Sequence, residues 1–291
     1  MPNVVRTPLR YPGGKAKALR QIFKKIPTAI REYREPFMGG GSVFIEFQQL
    51  HPNVSCWIND LNPEVYHFWK IAQSNLPELV EAIRQIKLNA LDGRALFREL
   101  ADVDVETLSA FDRAVRFFVL NRITFSGTIE AGGYSQKSFE QRFTDSSIER
   151  LSQLDRVLRN VKITNSDYSE LLKGEGDGVF IFLDPPYFSA TKSKLYGKRG
   201  QLHTAFDHQK FAEDLKNCSH RWLVTYDDCE EVRQNFPFAN LDEWKLQYGM
   251  NNYKQGRAEK GAELFISNYP DRSRSKLALE TESSVQLSLD L

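Results

Sequence analysis

The sequence predicts a doubly wound α/β fold interrupted by a block of helices. A strand-like segment, Tyr33–Phe37, runs into Met38-Gly39-Gly40-Gly41 and an amphipathic helix, with a second strand, Val54–Asn59, behind it. Short apolar runs at Val161–Asn165, Val179–Leu183 and Trp222–Tyr226 resume that alternation later in the chain. From about 75 to 145 the periodicity is helical and no buried strand is evident. With 291 residues, 41% of them hydrophobic, the chain is long enough for one sizeable core plus an insertion.

Each element has a local reason. After the glycines, the helix from Ser42 to about Leu50 sets Val43, Phe44, Phe47 and Leu50 on one face. The next, Pro63–Gln73, begins with proline, whose missing N–H costs nothing in a first turn. Ala110, Phe111, Ala114, Val115, Phe118 and Val119 mark a third, ending at Asn121-Arg122 and followed by a polar, glycine-rich loop, Thr124–Ser135. A helix over about 147–158 leads into Val161–Asn165. Beyond Val179–Leu183 come a charged loop, 188–206, a helix, Asp207–Asn217, the Trp222–Tyr226 strand and a helix, Asp228–Phe236. Trp244–Tyr248 and Ala262–Asn268 form a hairpin, and 271–291 reads as a frayed tail. The division that follows is a catalytic unit from 1–62 and 146–270, an inserted helical unit at 63–145, and the flexible tail.

Composition excludes a disordered chain, a collagen and a repeat array. No apolar run reaches the ~18 residues of a membrane span, and the N-terminus lacks a signal-peptide stretch. The three cysteines, Cys56, Cys218 and Cys229, form no C-x-x-C pair, so neither a disulfide framework nor a metal site is expected. A cytoplasmic, monomeric protein with no membrane contact is the expectation. The net charge is only +1, yet nine basic side chains from Arg6 to Arg34 face Glu32 alone. Lys192, Lys194, Lys198, Arg199 and Lys210 similarly outnumber Asp207, so a basic face for a phosphate-bearing partner is foreseen if the two segments meet.

Three motifs carry chemistry. The Glu35–Ser42 turn lets a ligand approach the backbone at a helix N-terminus, although a plain tight turn reads equally well. Asp60, some twenty residues on, is placed to accept from ribose hydroxyls or to cap the following helix. The most specific stretch is Phe182-Leu183-Asp184-Pro185-Pro186-Tyr187. Its prolines fix the Pro185 carbonyl beside the Asp184 carboxylate, two acceptors suited to a substrate NH2, and Tyr187 offers a ring to stack on a base.

Asp184–Tyr187 and Phe37–Gly41 resemble the amino-methyltransferases that use S-adenosylmethionine, and in particular the Dam-type (D12 class) DNA N6-adenine methyltransferases. The similarity is collinear over about 6–270. It takes in Arg10–Lys15, Glu35–Ser42, Asn59–Asn62, Leu120–Arg122, Phe125–Gly127, Asn165–Tyr168 and Glu263–Tyr269. It implies a Rossmann-like methyltransferase fold whose helical insertion recognises the target in double-stranded DNA. It further implies cofactor contacts from Tyr11, Lys15, Phe37, Gly39, Asp60, Asp167, Tyr168 and Asp184, with Asp184, Pro185 and Tyr187 at the reacting amine. Asn121, Arg122, Ser126, Glu130, Lys198, Arg199 and Arg257 are the implied DNA contacts, and a restriction endonuclease acting separately is a possible partner.

One position departs from the relatives that read GATC. They carry an Arg three residues after an Asn-Gly pair, where this chain has Glu130 after Ser126-Gly127. A carboxylate cannot donate to guanine, so a target other than GATC is expected. Relatives methylating cytosine N4 usually carry Ser in place of Asp184, and those acting on RNA or a glutamine amide often carry Asn. An inactive DNA-binding relative is expected to have lost Asp184, Tyr187 or the glycine turn, and all three are present.

Overall fold

A computed structural model describes residues 4–129, 132–188, 205–246 and 261–270. Glu130, Lys198, Arg199 and Arg257 lie outside the described residues, as do the 188–206 loop beyond Phe188 up to Thr204 and the tail.

Seven strands form one sheet: β1 Glu32–Glu35, β2 Ser55–Asn59, β3 Lys162–Thr164, β4 Val179–Leu183, β5 Arg221–Asp227, β6 Asn240–Leu246 and β7 Gly261–Ser267. They lie in the order β3-β2-β1-β4-β5-β7-β6. The first five are parallel, and β7 is inserted antiparallel between β5 and β6. All five residues of β4 are buried, as expected of a central parallel strand covered on both sides. Its side chains alternate between two cores. Phe180 and Phe182 join Tyr33, Phe44 and Phe47 on one face, while Ile181 and Leu183 join Phe211, Trp222 and Tyr226 on the other.

The first core is covered by α1 Leu19–Lys25, α2 Ser42–Leu50 and α3 Pro63–Ser74. The insertion continues through α4 Leu76–Asn89, α5 Gly93–Ala101, α6 Ala110–Ile123, α7 Gln136–Arg142, α8 Asp145–Ser152 and α9 Asp155–Leu158. Its apolar residues share the first core instead of forming a separate one. A buried ion pair, Arg113 to Glu64, ties α6 to α3. The other face carries α10 Tyr168–Lys173, α11 His208–Lys216 and α12 Glu230–Asn235.

Where the elements differ from expectation, the reason is local. Strand β1 stops at Glu35 rather than Phe37 because Pro36 has no N–H for the ladder, and the chain turns out of the sheet there. The helix over 147–158 is two helices, α8 and α9, broken between Ser152 and Asp155. Strand β6 begins at Asn240 instead of Trp244, since an edge strand with polar residues shows little alternation. The hairpin itself is present, with Trp244 opposite Glu263.

The nine N-terminal cations do not make one surface. Arg34 is buried, bonded to Glu32 and to the carbonyls of Leu171, Gly174 and Glu175. Lys15 turns inward to the site and Lys25 pairs with Asp242.

Candidate active site

Strand order reverses beside β1, whose neighbours are β2 and β4, and a crevice opens at such a switch point beyond the carboxyl ends of the strands. Here it is a cavity of about 790 Å³, lined by Tyr11–Lys15, the glycine turn, Asp60, Asp167–Ser169 and Asp184–Tyr187.

Asp60 holds the turn together. One carboxylate oxygen accepts from Gly39 N–H at 2.8 Å and the other from Asn62 N–H at 2.9 Å. The helix cap belongs instead to Asn62, which accepts from Glu64 N–H. Burial pushes Asp60 up to about 6 against the pull of those two backbone bonds. Gly39 has φ +47°, and a Cβ there would stand 2.6 Å from the Tyr11 ring. The turn is therefore also the seat of Tyr11. On the far side, Phe37 stacks on Tyr168 at 5.6 Å, with Phe206 and Phe211 edge-on to Phe37. The Tyr168 hydroxyl donates to Asp214, and Asp167 caps α10 through Ser169 N–H. Tyr11, Phe37, Gly39, Asp60, Asp167 and Tyr168 are thus brought to one cavity.

Asp184 stands at the end of β4, within a set of polar side chains from distant parts of the chain. Lys15, 3% exposed, sits 2.7 Å from one carboxylate oxygen and 2.9 Å from the other, and also donates to the Gly13 carbonyl. Thr225 of β5 donates to Asp184 Oδ1 at 2.8 Å. The Lys15 ammonium lies 4.8 Å from the centre of the Tyr187 ring, and the Tyr187 hydroxyl donates to Glu263 at 2.9 Å. Burial, with Asp184 and Glu263 nearby, holds the Tyr187 hydroxyl well above its ordinary pKa. Burial also pushes Glu263 up to about 7 and Glu35 up to about 8, the latter despite the hydrogen bond from Tyr33.

Sequence reasoning missed Thr225, Glu35 and Glu263 as site residues. Only Glu263 gave a sign: a carboxylate leading into the apolar run Leu264-Phe265-Ile266 has no packing reason to be there. Lys15, expected among the cofactor contacts, lines the same cavity with its ammonium bonded to Asp184.

The expected DNA contacts are not alike. Asn121 is fully buried. Its side chain accepts from Arg10 N–H at 2.9 Å and donates to the Arg10 carbonyl at 2.7 Å and the Gly127 carbonyl at 3.0 Å. Arg122 is 5% exposed and donates to the carbonyls of Arg142 and Pro8. Burial and the neighbouring Arg10, Arg150 and Arg142 lower Arg122 to about 9. Neither side chain is presented to a partner in this conformation, because an amide and a guanidinium satisfy backbone groups that burial would otherwise strand. They shape the loop that follows. There Ser126 has φ 58° and Gly127 φ 77°, and a Cβ on Gly127 would stand 2.4 Å from the Arg10 carbonyl oxygen. Ser126 is half-buried and Phe125 beside it is exposed.

An α/β sheet with a glycine-turn cavity and Asp-Pro-Pro-Tyr at its central strand defines a group-transfer enzyme acting on an amine. The chain belongs to the D12 class N6 adenine-specific DNA methyltransferases, whose family model matches residues 11–250. It is 27% identical to the type II methyltransferase M1.LlaDCHI of Lactococcus lactis subsp. cremoris, over 89% of this chain and 94% of that protein. It is 23% identical to the DNA adenine methylase of Salmonella typhi, over 90% and 95% respectively. Among solved structures, TrmN from Thermus thermophilus aligns with a TM-score of 0.40 at 12% identity, covering 91% of this chain and 52% of that one.

Proposed function

We propose that this enzyme transfers a methyl group from S-adenosylmethionine to N6 of an adenine extruded from duplex DNA, at a site other than GATC. The observation that carries the reading is the Asp184 carboxylate, fixed at the mouth of β4 with Tyr187 beside it inside the cavity. The cofactor fits the residues present: Asp60 offers acceptors at the second strand, and Phe37 and Tyr168 offer an aromatic surface. That cofactor supplies a methyl group already activated on a positive sulfur.

The chain's own residues act on the amine. An aminopurine nitrogen is a poor nucleophile because its lone pair is delocalised into the ring. Hydrogen bonds from its two N–H groups to Asp184 and the Pro185 carbonyl favour a pyramidal nitrogen with the pair localised. Tyr187 stacks on the base and holds its orientation. Lys15 must yield part of its hold on Asp184, since the two carboxylate oxygens that it and Thr225 occupy are those a base amine would use. A base within a duplex cannot reach this depth, so it is extruded. The loop after α6 reads base edges, with Glu130 accepting from cytosine N4 or adenine N6, while Lys198, Arg199 and Arg257 hold phosphates. The enzyme serves the modification half of a restriction system.

Methylation-sensitive sequencing of plasmid DNA treated with the pure protein and S-adenosylmethionine tests base and target together. N6-methyladenine in one non-GATC context supports the reading. Modified cytosine, or a GATC preference, refutes it.

A further inference from the structure

Two carboxylates stand side by side behind the methyl-acceptor pocket. Asp227 closes β5, and Glu263 lies opposite it on β7, in register across the antiparallel pair. Like charges directly opposite one another destabilise a sheet, so packing alone gives no reason for the arrangement. Each of the two holds a different part of the same short turn. Glu263 Oε2 accepts from the Tyr187 hydroxyl at 2.9 Å, and Asp227 Oδ1 accepts from the Phe188 N–H at 3.0 Å. Glu263 is 1% exposed, and its Oε1 has no hydrogen-bond partner among the described residues. A carboxylate buried with so few partners is costly to the fold, and the bond it does make goes to the tip of the Tyr187 ring.

Resting on the adenine-methylation reading, we propose that Glu263 is a positioning residue that sets the plane of the Tyr187 ring, and with it the tilt of the acceptor base. The prolines before Tyr187 fix the backbone leading into the turn, but an aromatic side chain can still swing about its Cα–Cβ and Cβ–Cγ bonds. Asp227 holds the backbone just beyond the residue, and Glu263 holds the ring at its far end. The neighbouring Tyr226 ring, 5.9 Å away and tilted by 30°, backs it. A base stacked on Tyr187 takes its plane from that ring, so the angle at which the amine meets the methyl group is set from β7. Glu263 is too deeply buried to meet the base itself and acts through Tyr187. Thr225 differs in bonding Asp184 directly.

The test is single-turnover methyl transfer to plasmid DNA, with DNA and S-adenosylmethionine both saturating, run beside calorimetric titration of the cofactor. It compares the wild type with Glu263→Leu, Glu263→Gln, Tyr187→Phe and the double variant Glu263→Leu/Tyr187→Phe. Glu263→Leu removes the acceptor and should slow transfer at least about tenfold, with cofactor affinity within about twofold of wild type. Gln still offers an oxygen to the hydroxyl, so Glu263→Gln should stay within about threefold of the wild-type rate. Tyr187→Phe cuts the same bond from the other end and should be slowed as much as Glu263→Leu, and it supplies the comparison if Glu263→Leu does not fold. The double variant should be no slower than either single one, because there is one bond to lose. A Glu263 that served only the fold would slow transfer independently of Tyr187. Losses that multiply in the double variant, or Tyr187→Phe at the wild-type rate, therefore overturn the proposal. A wild type active on adenine with Glu263→Leu as its equal refutes this inference alone. A wild type that transfers nothing to adenine refutes the underlying reading and this inference with it.

Discussion

Replacing Asp184 with Ala should unfold the protein more easily as well as stop methyl transfer, because Lys15 would keep its charge and lose its counter-ion. Lys15 is 3% exposed and Asp184 21%. Breaking a buried pair by deleting one partner costs roughly 3–5 kcal/mol, and the cavity beside Asp184 favours the low end, about 3 kcal/mol. Over 291 residues, about 2.1 cal/mol/K per residue gives an unfolding entropy of about 0.6 kcal/mol/K, hence a fall in Tm of about 5 °C. Lys15→Met should cost less, since Asp184 keeps Thr225 and admits water. In Lys15→Met/Asp184→Ala no charge is stranded, so the penalties should not add. A double-mutant cycle by urea unfolding should return a coupling of about 2 kcal/mol or more, little changed by salt. A coupling below about 0.5 kcal/mol, or one abolished by salt, would mean that the pair behaves as a surface contact.

Gly39→Ala places a methyl 2.6 Å from the Tyr11 ring on a backbone of φ +47°, so it should weaken S-adenosylmethionine binding in calorimetry while leaving most of the fold intact. An unchanged affinity would remove Tyr11 and its seat from the cofactor site. Asp60→Asn should weaken the same binding by about 1.5–3 kcal/mol, the range for a hydrogen bond to a charged group, without changing the methylated sequence. Equal affinities would confine Asp60 to holding the turn. Glu35 is raised from 4.5 to about 8, chiefly by burial, so the folded protein binds its proton more tightly than the unfolded chain does. Its contribution to stability is therefore lost as pH rises from about 4.5 to about 8, and Glu35→Gln should gain in Tm relative to wild type across that window. A gain that shrinks with rising pH would show the sign to be wrong.

The strands and the Asp184–Tyr187 motif were legible because their cause is local. A five-residue apolar run ending in Asp-Pro-Pro makes one kind of strand and one kind of turn. Lys15 opposite Asp184 was not legible, since the two are 169 positions apart and meet only when β1 and β4 pair. Glu263 depends likewise on β7 entering the sheet antiparallel beside β5. Asn121 and Arg122 misled for a different reason. Polar residues at a helix end normally face solvent, but here the N-terminal segment crosses over them and uses their side chains as backbone partners.

The strand order has a consequence for how the chain comes to exist. Strand β3 has three residues and, among the described residues, pairs only with β2, so its place depends on a crossover from Asn59 to Lys162 whose described residues include seven α-helices. Short edge strands gain little from their own ladder, and distant pairings form late because loop closure must precede any reward. Asn59 secures the junction once it forms, accepting from Thr164 Oγ1 and Ser166 N–H and donating to the Ser166 carbonyl. Asp167 lies one residue beyond that clasp. The edge of the cofactor cavity should accordingly be among the last parts to assemble, after the helices between β2 and β3 have packed. A nascent chain would then lack a complete cavity at the strand ends until the inserted helices are already built.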